Sequence, residues 1–267
     1  MGKHLFLLLG VVLLSVTSLG EWTSLGDFKT RSGESAGLYA LEAYDPELVK
    51  LTTTLDTLLQ MAEEEIIVSS QTDFAKMEIL FELVTKRLRH KEANHTFFSN
   101  WILFSLGQVH DVFLHAWDPS LIIKRGDVAL CDQSSYLLLT LADHFNIRSR
   151  HVGLYGHVVM EAWYEDDWHL YDPDLEVIPK VDGEILSVNE LIDDSEILRE
   201  FYGKDDHVTE VFLSRENNTF VSYPVGARFE WKANMLAIVE RVSEILKFVI
   251  PILMLLLTFL FRQKQTS

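Results

Sequence analysis

Residues 248–261 read FVIPILMLLLTFLF, fourteen positions without a charge, and Arg262 and Lys264 follow. A helix in a soluble core keeps a polar face, and this stretch has almost none. It is shorter than the roughly 20 residues a membrane span needs. Ile245 and Leu246 lengthen it, and Lys247 is expected to snorkel its ammonium to the headgroups. Met235, Leu236, Ile238, Val239, Val242, Ile245 and Leu246 recur at helical spacing. An amphipathic helix over 226–247 is therefore predicted to run straight into a transmembrane segment over 248–262, where Pro251 is tolerable in lipid. At the other end, Lys3 precedes an apolar run from Leu5 to Leu14 that fades toward Ser18 and Gly20. Residues 1–20 fit a signal peptide cleaved after Gly20, or an N-terminal anchor. With the basic tips Lys3, Arg262 and Lys264 on the cytoplasmic side, the body between them is expected outside.

That body is acidic. Forty Asp and Glu against 23 Lys and Arg give a formal charge of -17. Such a surface repels phosphate backbones, so no nucleic-acid partner is expected. The expected partners are the lipid bilayer and a protein or peptide substrate. A hydrophobic share of 48% supports a real core, in one good-sized domain or two small ones. The single cysteine, Cys131, rules out an internal disulfide and CxxC zinc ribbons. It is either a buried filler or a thiol kept for chemistry.

Residues 21–45 read as a lead-in and 46–225 as the main domain. Leu48, Leu51, Leu55, Leu58, Leu59 and Ala62 make one helical stripe; Phe74, Met77, Ile79, Leu80, Leu83 and Val84 make a second, capped by Thr72 or Asp73. Phe97–Leu114 again shows mostly helical spacing. Asp132 to Phe145 is a strong helix with Asn146 as its stop signal. Strands are predicted over Arg148–Tyr155, His157–Tyr164 and Trp168–Tyr171, then a helix near 187–202 and a further strand at 208–213. Helices first, then a helix leading into a sheet, indicate an α+β fold.

Cys131 lies at the start of a predicted helix, where unpaired amides and the helix dipole favour a thiolate. A nucleophilic thiol also needs a base and a group to orient that base. A two-residue turn at Glu165-Asp166 pairs Tyr164 with Asp167 and puts Asp172 across from Val159, on the His157 face and diagonal to it. A turn at Asp166-Asp167 keeps that face but moves Asp172 farther away, and a three-residue turn puts it on the wrong face. Asp174 falls directly opposite His157 in the first register and is the rival orienting carboxylate. Glu161 on the same face is a further acceptor.

The stretch GDVALCDQ at 126–133, the helix after it, and RSRHVGLYGHVVMEAWYEDDWHLYDP at 148–173 resemble the transglutaminase-like superfamily of papain-type thiol enzymes, over about residues 97–178. The resemblance leans toward bacterial, membrane-anchored members. It implies N-terminal helices, a nucleophile at a helix N-terminus, and an antiparallel sheet carrying His and Asp. It also implies Cys131 as nucleophile, His157 as general base and acid, and Asp172 as orienting carboxylate, in a reaction that passes through a thioester to hydrolysis or acyl transfer. Leu130, where family members often have a small residue, and Glu165-Asp166, in place of Asp-Gly, depart from the pattern. The Cys131 amide is one expected oxyanion donor; Gln108, Trp101 and Trp117 are candidates for a second, and Trp163 and Trp168 for a groove. No cofactor is implied. A zinc site from Cys131, His157 and an acidic residue lacks a fourth ligand at metal spacing. The competing function is an anchored binding or assembly module of an envelope or polysaccharide system that keeps the fold without turning over. Asn94 and Asn217 match glycosylation acceptors.

Overall fold

The computed structural model describes residues 2–29, 43–69, 72–154, 156–203, 206–213 and 226–263. In chain order, the first helices are α1 (Gly2–Trp22), α2 (Pro46–Leu51), α3 (Leu55–Val68) and α4 (Asp73–Arg87). A short strand β1 (Arg89–His90) precedes α5 (Trp101–Gly107), α6 (Pro119–Arg125) and a second short strand β2 (Val128–Ala129). Next come α7 (Cys131–His144) and three longer strands, β3 (Arg148–Leu154), β4 (His157–Tyr164) and β5 (Asp167–Tyr171). A small ribbon of β6 (Lys180–Val181) and β7 (Glu184–Ile185) leads to α8 (Val188–Asp193), α9 (Ser195–Tyr202) and α10 (Asp206–Leu213). The last described element is α11 (Gly226–Gln263). The fold is α+β, as the sequence predicts. Two units are distinguished by their internal packing: one holds α1, residues 93–118 and the chain from 235 onward, and the other holds the remainder, including the three-stranded sheet.

Local chemistry explains the element boundaries. The stripe Leu48–Ala62 is two helices rather than one. Thr52 ends α2 by donating its hydroxyl back to the Leu48 carbonyl at 2.7 Å, and Thr54 starts α3 by accepting from the Thr57 amide. Leu51, assigned to the stripe by spacing, is left exposed by that break. Thr72, not Asp73, caps α4, accepting from the Ala75 amide at 3.3 Å. In 97–114 only Trp101–Gly107 is α-helical, with Asn100 as its cap and a single 3-10 turn at Asp111–Phe113. The helix near 187–202 is likewise divided, because Asp194 ends α8 and caps α9 with bonds from the Glu196 and Ile197 amides.

The strand expected at 208–213 is instead the helix α10. Val208, Val211 and Phe212 are buried together there, at the i, i+3, i+4 spacing of one helix face. The β-branched residues suggested a strand, and tertiary packing overrides that propensity.

The sheet runs β3-β4-β5, antiparallel throughout. Tyr164 pairs with Asp167 and Met160 with Tyr171, the register predicted from a two-residue turn. Glu165 and Asp166 both have positive φ, 52° and 64°, as a type I′ turn requires. On one sheet face Val152, Leu154, Val159 and Leu170 pack against Leu191, Leu198 and Phe212 of α8, α9 and α10. Burying each such side chain contributes about 1.5–3 kcal/mol. On the other face Tyr136 of α7 meets His151, and Phe81 of α4 meets Tyr171.

His151 is fully enclosed, and burial pushes its imidazole down to about 4. The folded state therefore resists a proton that the unfolded chain accepts near 6.5. Stability is constant above about pH 6.5, declines as pH falls toward 4 and levels off below it, a loss of about 3 kcal/mol from this group. Urea unfolding midpoints measured across that window should fall, and in His151→Phe the decline should shrink. An equally steep decline in the variant would refute this assignment.

In the unit containing α1, Glu240 of α11 is buried and fully engaged: it accepts from the amides of Trp117 at 2.8 Å and Asp118 at 2.6 Å and faces His95 Nε2 at 2.6 Å. Lys247 does not snorkel. It is 1% exposed, and its ammonium donates to Glu21 at 2.7 Å, Glu244 at 2.8 Å and the Ser99 carbonyl at 2.8 Å. Two carboxylates and a carbonyl offset its desolvation, so the side chain has no need to reach water. The acceptor residue Asn94 is buried between backbone bridges to Lys29 and His115; Asn217 lies outside the described residues.

Candidate active site

Cys131 is the first residue of α7. Two residues earlier, β2 lies parallel to β1, with Val128 beside Arg89 and Ala129 beside His90. The helix start is fixed by Gln133, whose Oε1 accepts from the Leu130 amide at 3.0 Å, and by Ser134, whose amide opens the helical ladder to the Leu130 carbonyl at 2.8 Å. Upstream, the buried guanidinium of Arg87 donates to the carbonyls of Thr52, Ile123 and Gly126 and to the Thr52 hydroxyl. The chain entering the cysteine is thus tied to α4 and α2.

His157 opens β4 and is buried. Its Nε2 lies 2.7 Å from Asp172 Oδ2. Asp172 follows directly after β5, where the chain leaves the ladder through a bridge to Val177. Its remaining lone pairs are filled: Oδ1 accepts from the amides of Asp174 and Leu175, both at 3.2 Å, and Oδ2 also accepts from the Tyr202 hydroxyl at 3.1 Å. Burial, then the adjoining Asp172 charge and hydrogen bond, hold the Tyr202 hydroxyl well above its ordinary value, so it stays a donor. Phe212 of α10 packs against the rings of both Tyr202 and His157.

With Nε2 committed to Asp172, the other ring nitrogen is left for the thiol, and a ring nitrogen of His157 lies within 4.8 Å of Cys131 Sγ. Burial would lower the imidazole, but the Asp172 charge and hydrogen bond, with Cys131 adding, hold it well above 6.5. Burial pushes the Cys131 thiol up; the His157 hydrogen bond pulls it down, and the Asp174 and Asp132 carboxylates add to the rise. At the half-buried Cys131 the rise therefore outweighs the lowering expected at a helix start.

Asp174 does not orient His157. The chain turns away after Asp172, and Asp174 Oδ1 instead meets His90 Nδ1 at 2.6 Å. Glu161, on the His157 face, is spent elsewhere: Oε1 accepts from the Val188 amide at 2.7 Å, at the start of α8, and Oε2 pairs with Arg150. Donor atoms of Cys131, His157 and Asp174 lie within 4.8 Å of one another. A closed zinc site takes four ligands, and no fourth side chain joins this group among the described residues. Asp172 accepts from His157, and Asp174 accepts from His90.

The remaining predicted residues make contacts of their own. Trp101 donates its indole N–H to the Lys247 carbonyl at 3.2 Å, Gln108 its amide to the Phe104 carbonyl at 3.1 Å and Trp117 its indole to the Val112 carbonyl at 3.0 Å, all within the unit of α1. Trp163 shares the His157 face but sits six residues along β4, about 20 Å away at strand rise. There it packs edge-on to Trp168, with Arg148 over both rings. His169 places both ring nitrogens against backbone carbonyls, and His110 caps the 3-10 turn. Sequence reasoning missed His90, Tyr202 and Phe212, since no spacing links residues 90, 202 and 212 to the cysteine.

No protein-family model and no curated protein matches the sequence. Two solved structures are similar over part of the chain. One is a candidate cysteine protease from Cytophaga hutchinsonii, at 12% identity and a TM-score of 0.31, with 55% of this chain and 48% of that one covered. The other is a TGase, at 12% identity and a TM-score of 0.30, with 53% of this chain and 35% of that one covered. The chain thus spans about half the length of the first and about a third of the second, and likeness at this level assigns no function to it.

Proposed function

We propose that this chain is a membrane-anchored thiol enzyme that acts on amide bonds through Cys131, His157 and Asp172. The observation carrying this reading is the buried 2.7 Å contact from His157 Nε2 to Asp172, made by an imidazole with a ring nitrogen within 4.8 Å of the sulfur of the only cysteine. A structural cysteine needs neither partner. In the reaction, the thiol proton passes to His157 while the sulfur adds to the amide carbonyl carbon. The C–N bond then breaks, and the amine or ammonia leaves with the proton from His157. Water or an amine adds to the thioester, loses its proton to His157 and expels the thiolate. The Cys131 amide, at a helix start where amides lack partners inside the helix, faces the developing oxyanion. The purified full-length protein, incubated with a glutamine-containing peptide library with and without a primary amine, should give products whose mass shifts separate peptide cleavage, deamidation and transamidation. If no product depends on Cys131, the chain is instead a binding or assembly module.

The anchoring is read from two helices, α1 and α11, each long and apolar enough to cross a bilayer. Residues 2–22 make specific contacts with α11. A Cβ on Gly10 would stand 3.0 Å from Leu255 Cδ2, the Thr17 hydroxyl lies 3.4 Å from the Lys247 carbonyl, and Glu21 pairs with Lys247. A small residue at close approach and a paired intramembrane charge are how spanning helices associate. The N-terminal segment is on this reading a retained second span, with both basic tips cytoplasmic and the body outside. Intact-mass analysis of the membrane-extracted protein should find residues 1–20 present; a mature chain beginning at Glu21 would refute retention.

A further inference from the structure

We propose that His90 and Asp174 form a second acid–base pair at the Cys131 thiol, in which His90 is a positioning residue that neutralises the Asp174 carboxylate and so sets how readily the sulfur carries negative charge. The inference rests on the thiol-enzyme reading above and adds to it a control on the nucleophile.

Three placements support it. An Asp174 carboxylate oxygen lies within 4.8 Å of both Cys131 Sγ and a His157 ring nitrogen. Asp174 is buried and cannot shed its charge into water. His90, held beside Ala129 by the parallel pairing of β1 and β2, meets that carboxylate at 2.6 Å and is itself partly exposed, so its proton exchanges with solvent. A bare carboxylate this near a sulfur disfavours the thiolate, and a cationic imidazole on the same carboxylate cancels the effect.

Asp172 and His157 act on His90 and Asp174, and Asp132 acts with Asp174 on the thiol. Asp172 is already filled by His157, Tyr202 and two amides, which leaves Asp174 as the carboxylate bonded to His90. Burial pulls the His90 imidazole down, but the hydrogen bond and charge of Asp174 hold it above its ordinary value; burial pushes Asp174 up against the pull of His90. Both groups therefore hold a proton more tightly than they would alone in water.

The test is the rate of Cys131 alkylation by iodoacetamide against pH, on the full-length protein in chelator-treated buffer. The chain has one cysteine, so the signal is site-specific. His90→Ala should move the midpoint up by about one unit and slow alkylation near pH 7 about tenfold. Asp174→Asn should move it the other way and quicken alkylation about five- to tenfold. The double variant should follow Asp174→Asn, because without the carboxylate there is nothing for His90 to neutralise. His90→Gln, which keeps a hydrogen-bond donor but no charge, should behave as His90→Ala and guards against a packing defect in the alanine variant. Shifts of one sign in both single variants, or none beyond about twofold, would overturn the inference and leave a purely structural pair. Because alkylation needs no substrate, that outcome can coexist with Cys131-dependent turnover, whereas loss of turnover dependence on Cys131 sinks the enzyme reading alone.

Discussion

With His157 replaced by alanine, turnover of an amide substrate is expected to fall by about three to four orders of magnitude, and iodoacetamide labelling of Cys131 near neutral pH to slow about a hundredfold. The size follows from how little else at the site takes a proton from the sulfur. Burial, Asp174 and Asp132 all oppose thiolate formation, and the His157 hydrogen bond is the group that favours it. Asp172→Asn should cost about a thousandfold in turnover and, by leaving the Tyr202 hydroxyl without this acceptor, about 1–3 kcal/mol in stability. With its oxygen in the Oδ1 position the asparagine still accepts from the Asp174 and Leu175 amides, but the NH2 in the Oδ2 position neither accepts from Tyr202 nor stabilises the imidazolium that forms as the amine leaves. Since His157 is held above 6.5 by Asp172, its neutral base form accumulates only on the alkaline side. The turnover of the wild type should thus rise with pH through neutrality, and Asp172→Asn should move that limb toward lower pH. Labelling at an ordinary thiol's rate, unchanged in His157→Ala, would rule out the proposed triad.

Arg87→Met should destabilise the sheet-containing unit by about 3–5 kcal/mol, because several buried carbonyls lose their donor at once. Arg87 is 1% exposed. Its guanidinium is the donor to the carbonyls of Thr52, Ile123 and Gly126, from α2 and the end of α6. Methionine fills most of the volume but donates nothing, and each stranded buried carbonyl costs about 1–3 kcal/mol. Burial already pulls the guanidinium's pKa down, with Asp127 and Tyr44 opposing, so the native arrangement retains a desolvated charge donated to three carbonyls. For a body of this size the thermal midpoint should drop by about 10 °C. Because Gly126 lies five residues before Cys131, alkylation should become less dependent on His157 even below the melting range. A thermal shift under about 2 °C would show that these carbonyls find other donors.

The legible parts of the site were those carried by short-range periodicity. Tyr164-Glu165-Asp166-Asp167 set the hairpin register by alternation and turn length, and that register delivers Asp172 to the His157 face. The same rule put Asp174 opposite His157, where it would be had β5 continued. The strand ends at Tyr171, Asp172 bridges to Val177, and Asp174 swings to His90. Register persists only while the ladder does, and the sequence held no sign of where this one stops. Residues 208–213 failed for a related reason: the β-branched pattern in DHVTEVFL fits a strand, but the buried face of α10 is made by helical spacing once it has α9 to pack on.

By itself, the sequence determined the apolar ends, the acidic body, the helix that begins at the one cysteine and the hairpin that carries His157. Each of these follows from side chains within a few positions of one another, where backbone geometry alone fixes direction. Only the tertiary structure decided which carboxylate reached which histidine, that Tyr202 and Phe212 close over the imidazole, and that Lys247 pairs with Glu21 and Glu244 in place of reaching for headgroups. Those outcomes depend on a buried charge finding its least costly partner among groups far apart in the chain, and such a partner is chosen by desolvation and distance, which spacing in a sequence does not encode.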